Sequence, residues 1–169
     1  VSNFGLDVFR GDQDDVVARF VDTADYFDFD RVVRVTGDCP FVDAEILDFV
    51  LSNCDEAGAF DLATTKGLFP IGLDFEIYSA DLMKKLHVSA QLTKEDREHL
   101  TWHMVRQPNL FALHKIAPLE KWRWKNHSFT VDTFEDYEWA KLIANAAGGK
   151  IATIQSLIEA AKATAPNIQ

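Results

Sequence analysis

The sequence predicts a single α/β domain over residues 1–169, with a mixed, mostly parallel sheet. Two observations carry this prediction. Short β-branched runs alternate along the chain with longer segments of helical periodicity, and Gly, Pro and Asp residues separate them. The length of 169 residues and the 47% hydrophobic content suffice for one sizeable core.

In the first half of the chain, each predicted helix begins at a polar residue that can accept a hydrogen bond from the first turn. The predicted elements, in order, are a helix from Asp12 or Asp14 to about Phe27, a strand at 30–36, a helix at 43–54 capped by Asp43, a strand at 61–67, and an extended segment from 72 that becomes a helix near Ser79.

The second half has two capping boxes and a pair of glycines that stop a helix. Its predicted elements are a helix that begins at Thr93 in the box TKED and runs to about Val105, strands within LFALHKI at 110–116 and KWRWKNHSFTV at 121–131, a helix capped by Thr133 and ended by Gly148 and Gly149, and a final amphipathic helix at 150–165.

Composition and charge exclude several classes of protein. No apolar run approaches the ~20 residues that a membrane span needs. Cys39 and Cys54 lack metal-type spacing, so we expect reduced thiols and a cytoplasmic location. The net charge of −10 disfavours nucleic acid as a partner. An acidic protein that handles a polyanion needs a cationic pocket or a divalent metal.

The stretch VVRVTGDCPFVD at 32–43 places Asp38 at the end of a buried strand. Ligands of open α/β sheets lie beyond the carboxyl ends of the strands, so Asp38 is a candidate ligand-facing residue. Gly, Asp and Pro are also turn formers, and a plain turn explains the local pattern equally well.

A second Asp follows a short β-branched run in FTVDTFEDYEWA. Asp132 ends this run, and Asp136 falls in the first turn of the following helix, where its charge suits the helix dipole. Both acids could simply start the helix. If the strands that precede Asp38 and Asp132 are neighbours, their carboxylates converge, and two hard oxygen ligands suit Mg²⁺ or Mn²⁺.

Two further polar groups are candidates for binding a hydroxylated substrate. Asp74 and Glu76 alternate with apolar residues in GLDFEIYS and therefore share one face of an extended segment. Arg97, Glu98 and His99 form a polar cluster near a helix start. Each group could equally be a solvated surface.

Two other motifs indicate functions that the whole sequence does not support. His99 and His103 have the spacing of zinc ligands on a helix, but the Glu that a metalloprotease needs after the first His is replaced by Leu100. KWRWKN at 121–126 interleaves basic and aromatic residues, but no other basic patch accompanies it. Sheet packing or a homodimer contact accounts for it better.

Taken in order, five motifs resemble the spore coat polysaccharide biosynthesis type of cytidylyltransferase, a relative of the enzymes that activate neuraminic acids and 3-deoxy-octulosonic acid. The motifs are VFRGDQDDVVARF, VVRVTGDCPFVDAEILDFVL, GLDFEIYSADLMKKL, EDREHLTWHM and FTVDTFEDYEWAKLI. The resemblance covers about Phe4 to Ile143 and leaves the terminal helix after Gly149 uncovered.

The resemblance implies a Rossmann-like nucleotide-diphospho-sugar transferase fold. It also implies a reaction in which CTP and a sugar or sugar acid give a CMP-sugar and pyrophosphate, for surface polysaccharide synthesis. By the family pattern, Asp38 and Asp132 bind a catalytic Mg²⁺ or Mn²⁺. Asp74, Glu76 and the cluster at 97–99 face the sugar.

The sequence departs from the family pattern at its beginning. Such enzymes open with a loop of the type Q-A-R-x-x-S-x-R-L-P-G-K that holds the triphosphate, and this chain has no such loop. We therefore expect 1–169 to be the C-terminal two-thirds or so of a transferase domain. The explanations are a shortened sequence, a partner chain with the remaining part, or a non-catalytic homologue that binds a sugar or a protein.

Overall fold

The structure is a computed structural model that describes residues 5–89, 92–99, 101–124, 128–149 and 152–164. Within these ranges the helices are α1 (Val16–Phe27), α2 (Ala44–Ala57), α3 (Ala80–His87), α4 (Lys94–Glu98), α5 (Trp102–Arg106), α6 (Phe134–Ala146) and α7 (Ile154–Thr164). The strands are β1 (Arg31–Arg34), β2 (Leu62–Thr64), β3 (Glu76–Ser79) and β4 (Leu113–Lys115), and Glu120–Trp122 is a short 3-10 helix.

The four described strands form one mixed sheet in the order β1-β3-β2-β4. The amide of Ala80 donates to the carbonyl of Asp30, which makes β3 antiparallel to β1. The amide of Thr65 donates to the carbonyl of Phe75, which makes β3 antiparallel to β2 as well. β4 runs parallel to β2. The amide of Asp61 donates to the carbonyl of Ala112, and further along both strands the amide of Ile116 donates to the carbonyl of Thr64. The prediction of a mixed α/β sheet is confirmed. The expectation that it is mostly parallel is wrong for the four described strands, because two of their three pairings are antiparallel.

The chain divides into two compact units. The first comprises Val1–Val33, Ala59–Ala63 and Ile77–His114, and the second comprises Arg34–Gly58, Thr64–Glu76 and Lys115–Gln169. Each of the four strands has residues in both units. The single domain expected over 1–169 stays a prediction.

The first unit has an apolar core beneath α1. The apolar stripe of this helix includes Val17 and Val21, which pack with the strand residues Leu62 and Tyr78 and with other buried side chains such as Met104. The helix is amphipathic with its apolar face inward, as the 3.6-residue periodicity predicts. Each fully buried side chain of this size contributes roughly 1.5–3 kcal/mol to stability.

The first unit also has a partly open cavity of about 420 Å³ with largely apolar walls. Aromatic and aliphatic side chains from α1, the preceding loop and β1 line it, among them Phe9, Phe20, Phe29 and Val32. Neither Asp38 nor another residue of the second unit lines this cavity.

The second unit has its own core, which fixes the segments that carry the candidate site. The 3-10 helix buries Trp122, whose ring contacts Phe49 of α2 edge-on and also Phe69. Phe129 is fully buried, and its ring contacts those of Phe41 and Trp139. Aromatic contacts of this kind add about 0.5–1.5 kcal/mol each beyond area burial.

Most predicted helix caps are confirmed. The predicted caps Asp43, Thr93 and Thr133 accept hydrogen bonds from the first turns of α2, α4 and α6. Ser79, near which a helix start was predicted, accepts one from the first turn of α3. The predicted cap of α1 is wrong, because Asp15 caps it by accepting from the amide of Ala18.

The predicted helix from Thr93 to about Val105 is wrong in its length, because the structure has two short helices there, α4 and α5. The backbone leaves the helix at His99, whose φ is −104° and ψ is 79°. Asp96 of α4 is buried and forms an ion pair with Arg106 of α5. This ion pair links α5 to α4.

The predicted strand at 121–131 is also wrong over the described part of that range, since Glu120–Trp122 is a 3-10 helix and residues 128–131 belong to no assigned strand. Residues 125–127 of that prediction lie outside the described residues, as do residues 150, 151 and 165 of the predicted terminal helix. Across the described part of the chain, every helix is too short or too polar to span a lipid bilayer.

Candidate functional site

Asp38 lies in a tight turn directly after β1. The amide of Cys39 donates to the carbonyl of Thr36 over 3.2 Å, which closes the turn. The hydroxyl of Thr36 lies 3.0 Å from the Cys39 thiol, and that thiol lies 3.6 Å from Oδ1 of Asp38. Both interpretations of this stretch therefore apply: it is a turn, and it presents a half-buried carboxylate.

The surroundings of Asp38 favour its charged form. A hydrogen bond from the Thr36 side chain lowers the pKa of the Asp38 carboxyl, and the positive charge of Lys66 acts in the same direction. Burial and the negative charges of Asp38 and Asp74 raise the pKa of the Cys39 thiol. At neutral pH the turn therefore offers a carboxylate beside a neutral thiol, which is a hard oxygen ligand rather than a soft one.

The segment at 128–132 is held against the turn by its backbone. The amide of Val131 donates to the carbonyl of Asp38 over 2.8 Å, and the amide of Phe129 donates to that of Ile71 over 2.8 Å. Because the Val131 backbone is bonded to the Asp38 turn, Asp132, which follows Val131 in the sequence, has its backbone beside that turn. The two segments that the sequence predicted to converge are bonded to each other.

The carboxylates of Asp132 and Asp136 have different hydrogen-bond partners. Asp136 forms a capping box with Thr133, and hydrogen bonds from the Thr133 hydroxyl and backbone lower the pKa of its carboxyl. Asp132 is exposed, and its carboxylate accepts a bond of 3.2 Å from the hydroxyl of Thr130. Because the Asp136 carboxylate is engaged in the capping box with Thr133, Asp132 is the carboxylate left for a ligand.

Asp74 and Glu76 occupy different environments, although the sequence grouped them. Glu76 is only 3% exposed, and its Oε2 is 2.7 Å from a guanidinium nitrogen of Arg34. Asp74 is half-buried. Burial raises the pKa of its carboxyl, and the charge of Lys66 partly offsets the rise. Glu76 is thus held by an ion pair within the fold, whereas Asp74 faces the group that contains Asp38 and Lys66.

Lys66 is the residue of this group that sequence reasoning missed. It follows Thr65, whose amide donates to the carbonyl of Phe75 and whose hydroxyl accepts from the Phe75 amide over 2.6 Å. Lys66 lies in the turn that follows this pairing, and its positive charge opposes the rise that burial causes in the pKa of the Asp74 carboxyl. The segments TTKG and GLDF were both predicted to be extended. The sequence does not determine how the two segments pair with each other.

The predicted cluster at 97–99 lies in the first unit, where Arg97 has structural partners. Its guanidinium donates to Oδ2 of Asp15 over 2.8 Å and to the carbonyl of His87 over 3.2 Å. Glu98 and His99 are exposed. A role of these residues in substrate binding stays a prediction.

The zinc alternative finds no support among the described residues, which contain no group of three or more His, Cys, Asp or Glu side chains arranged to hold a metal. His103 is buried, with Nδ1 3.5 Å from Oδ2 of Asp96, and it also contacts Gln107. His99 instead packs against the ring of Trp102.

Two carboxylates suit a magnesium ion that shares its ligands with a substrate, although the described part of the chain contains no group of three or more His, Cys, Asp or Glu side chains that could hold a metal. Mg²⁺ is commonly bound by one or two carboxylates together with phosphate oxygens and water. Asp38 and Asp132 supply two carboxylates on segments joined by the bond from Val131. Neither carboxylate has a Lys or Arg ion-pair partner in the described residues.

The fold is α/β, and its Asp38 turn is hydrogen-bonded to the segment that leads to Asp132. A cytidylyltransferase family model matches residues 2–160. The chain belongs to the cytidylyltransferase family, as the sequence motifs predicted.

Two curated relatives agree with this assignment. The spore coat polysaccharide biosynthesis protein SpsF of Bacillus subtilis (strain 168) is 30% identical over 145 residues, 85% of this chain and 59% of that protein. The uncharacterized protein MJ1063 of Methanocaldococcus jannaschii is 32% identical over 141 residues, 81% of this chain and 55% of that protein. The chain thus spans less than two-thirds of the length of either relative.

A solved structure shares the fold. The structure of a cytidylyltransferase from Leptospira borgpetersenii serovar Hardjo-bovis (strain JB197) matches with a TM-score of 0.86 at 32% identity. The match covers 96% of this chain and 68% of that one. The predicted α/β cytidylyltransferase fold is confirmed.

Proposed function

We propose that this chain contains the metal-binding and acceptor-binding residues of a Mg²⁺-dependent cytidylyltransferase. The reaction joins CMP from CTP to a sugar or sugar acid and releases pyrophosphate, in the synthesis of a surface polysaccharide. Family membership supports the nucleotidyl transfer. Similarity to a spore coat polysaccharide biosynthesis protein supports the pathway.

The observation that carries the proposal is the hydrogen bond of 2.8 Å from the Val131 amide to the Asp38 carbonyl. It joins two segments that are 93 positions apart in the sequence (131 minus 38). Each segment presents a carboxylate, from Asp38 and Asp132. Without this bond, either aspartate would be explained by its local turn or helix start alone.

The residues have the following roles in the proposed reaction. Asp38 and Asp132 hold the metal, and Asp38 is ionised at neutral pH because the Thr36 hydrogen bond lowers the pKa of its carboxyl. An acceptor oxygen attacks the α-phosphorus of CTP, the bond to the pyrophosphate leaving group breaks, and a hydroxyl acceptor loses its proton. Bound Mg²⁺ would neutralise phosphate charge and polarise the reacting centre. Asp74 would face the acceptor, as the family resemblance implies.

A second candidate function is a non-catalytic sugar- or protein-binding module of the same fold. The chain spans 55% and 59% of its curated relatives, and its sequence has no loop of the type that holds the triphosphate in this family. Such a module would bind a sugar without turning over CTP.

The test is pyrophosphate release from CTP with Mg²⁺ and a panel of sugars and sugar acids. We expect Asp38→Asn and Asp132→Asn each to lower kcat about 100-fold or more, because each removes a charged metal ligand. Asp48→Asn, on the exposed face of α2, is the matched control and should leave the rate unchanged.

Near-wild-type rates in either metal-site variant would contradict the assignment of that aspartate. Sugar binding without any CTP turnover would instead favour the non-catalytic module. Unchanged thermal unfolding of all three variants would show that a lost rate reflects the site and not the fold.

A further inference from the structure

An ion pair lies where β1 ends and β3 begins. Arg34 is the last residue of β1 and Glu76 is the first residue of β3, and the two strands run antiparallel. A guanidinium nitrogen of Arg34 lies 2.7 Å from Oε2 of Glu76, whose side chain is only 3% exposed. Such a bond is directed, because the donors of a guanidinium are held in one plane. The ion pair therefore fixes the point at which β1 leaves the sheet.

The short segment between this ion pair and Asp38 has few contacts of its own. Val35 and Gly37 are exposed, and a Cβ built on Gly37 would meet open space. The position of the Asp38 carboxylate therefore depends on what holds the segment at its two ends.

Beyond Ile71 and the sheet, the turn is held by the segment at 128–132. The amide of Val131 donates to the carbonyl of Asp38 over 2.8 Å, and the ring of Phe41 contacts the buried ring of Phe129 edge-on. These contacts attach the turn to the segment that leads to Asp132. The ion pair at the end of β1 attaches the same turn to β3, so it sets the position of Asp38 from the other side.

We propose that Arg34 and Glu76 are positioning residues of the candidate cation site: their ion pair holds the end of β1 so that Asp38 and Asp132 can bind one divalent cation. This inference rests on the proposed function, to which the cation belongs. It also goes beyond stability. An apolar pair of similar size can replace a buried ion pair without loss of stability, but it does not reproduce the directed contact.

The experiment therefore compares the wild type with the double variant Arg34→Met/Glu76→Leu. Hydrogen exchange is measured first, without any metal. We expect the exchange rate of the Val131 amide to rise about tenfold or more, while that of the Phe129 amide, which bonds to Ile71, stays nearly unchanged.

The second readout is calorimetric titration with Mn²⁺ in the presence of pyrophosphate. We expect the double variant to bind Mn²⁺ about tenfold more weakly than the wild type, as when residues that orient metal ligands are replaced. The matched control is Glu45→Gln/Lys121→Gln, which removes an exposed ion pair between α2 and the 3-10 helix and should change neither readout. If the double variant does not fold, Glu76→Gln, measured where it is folded, must show both changes.

The inference is overturned if the Val131 amide keeps its protection, or if the Phe129 amide loses protection equally, since an equal loss reports general destabilisation. In a wild type that binds Mn²⁺, an unchanged affinity in the folded variant overturns it as well. A wild type that binds no Mn²⁺ contradicts the proposed function, and the exchange of Val131 still decides whether the ion pair positions the turn. A chain that turns over CTP, with both readouts unchanged in the variant, keeps the proposed function and overturns this inference.

Discussion

Replacing Gly72 with Ala should displace the segment that carries Asp132. Gly72 has a φ of +88°, and a Cβ built on it would lie 2.7 Å from the carbonyl carbon of Phe129 and 2.8 Å from the amide nitrogen of Thr130. To regain an ordinary contact of 3.4 Å from 2.7 Å, the backbone of that segment must move by about 0.7 Å. This movement would distort the hydrogen bond from the Val131 amide to the Asp38 carbonyl.

Two effects should lower the free energy of unfolding of Gly72→Ala. The left-handed conformation costs a non-glycine residue about 1–2 kcal/mol. Forcing a methyl group into packed backbone adds about 1–3 kcal/mol. Gly72→Ala should therefore lower the free energy of unfolding by about 2–5 kcal/mol. Gly149→Ala is the matched control, because Gly149 has a φ of +65° and open space around its Cβ position, so only the first part applies.

The assay combines urea denaturation, followed by tryptophan fluorescence, with hydrogen exchange of the Val131 and Phe129 amides. We expect Gly72→Ala to be less stable than Gly149→Ala by about 1–3 kcal/mol and to lose protection at both amides. Equal destabilisation by the two substitutions, with both amides still protected, would refute the argument that the close approach of Gly72 positions Asp132.

Two further predictions concern charged groups within the fold. Glu76→Gln should lower the free energy of unfolding by about 1–3 kcal/mol in denaturant titrations, because it leaves Arg34 without its charged partner; an unchanged stability would contradict this. Burial raises the pKa of the Asp96 carboxyl, but hydrogen bonds from Thr93 and the charge of Arg106 outweigh it and hold the pKa below its usual value. This stabilisation is complete above the unfolded pKa of about 3.9 and is lost as pH falls through the lower folded value, so Tm should drop in acid. The Asp96→Asn variant should be less stable than the wild type at neutral pH, and its Tm should fall less in acid. A fall in Tm equal to that of the wild type would contradict this role of the Asp96 carboxylate.

Local features of the fold were predictable from the sequence. The caps at Asp43, Thr93 and Thr133 were correct because a cap depends on a few adjacent residues. The break between α4 and α5 was not predictable from periodicity, since it depends on the ion pair of a buried Asp96 with Arg106.

The candidate site was predictable only in part. Asp38 and Asp132 were proposed together because each follows a β-branched run and both match a family motif, and the structure joins their segments through Val131. The ion pair between Glu76 and Arg34 was missed because the partners are 42 positions apart. Lys66 was missed because the effect of its charge on Asp38 and Asp74 depends on how the segments at 61–67 and 72–76 pair, which the sequence does not determine.

The central claim is that Asp38 and Asp132 form one divalent-cation site. The most direct measurement is paramagnetic broadening by Mn²⁺ in NMR spectra of the 19.1 kDa chain, with pyrophosphate present to supply the remaining oxygen ligands. We predict that amides around Asp38 and Asp132 broaden together at the lowest Mn²⁺ concentration, and that Asp38→Asn abolishes the broadening of both. Broadening that begins at the acidic turn of Asp12–Asp15, or that persists around Asp132 in Asp38→Asn, would contradict the claim.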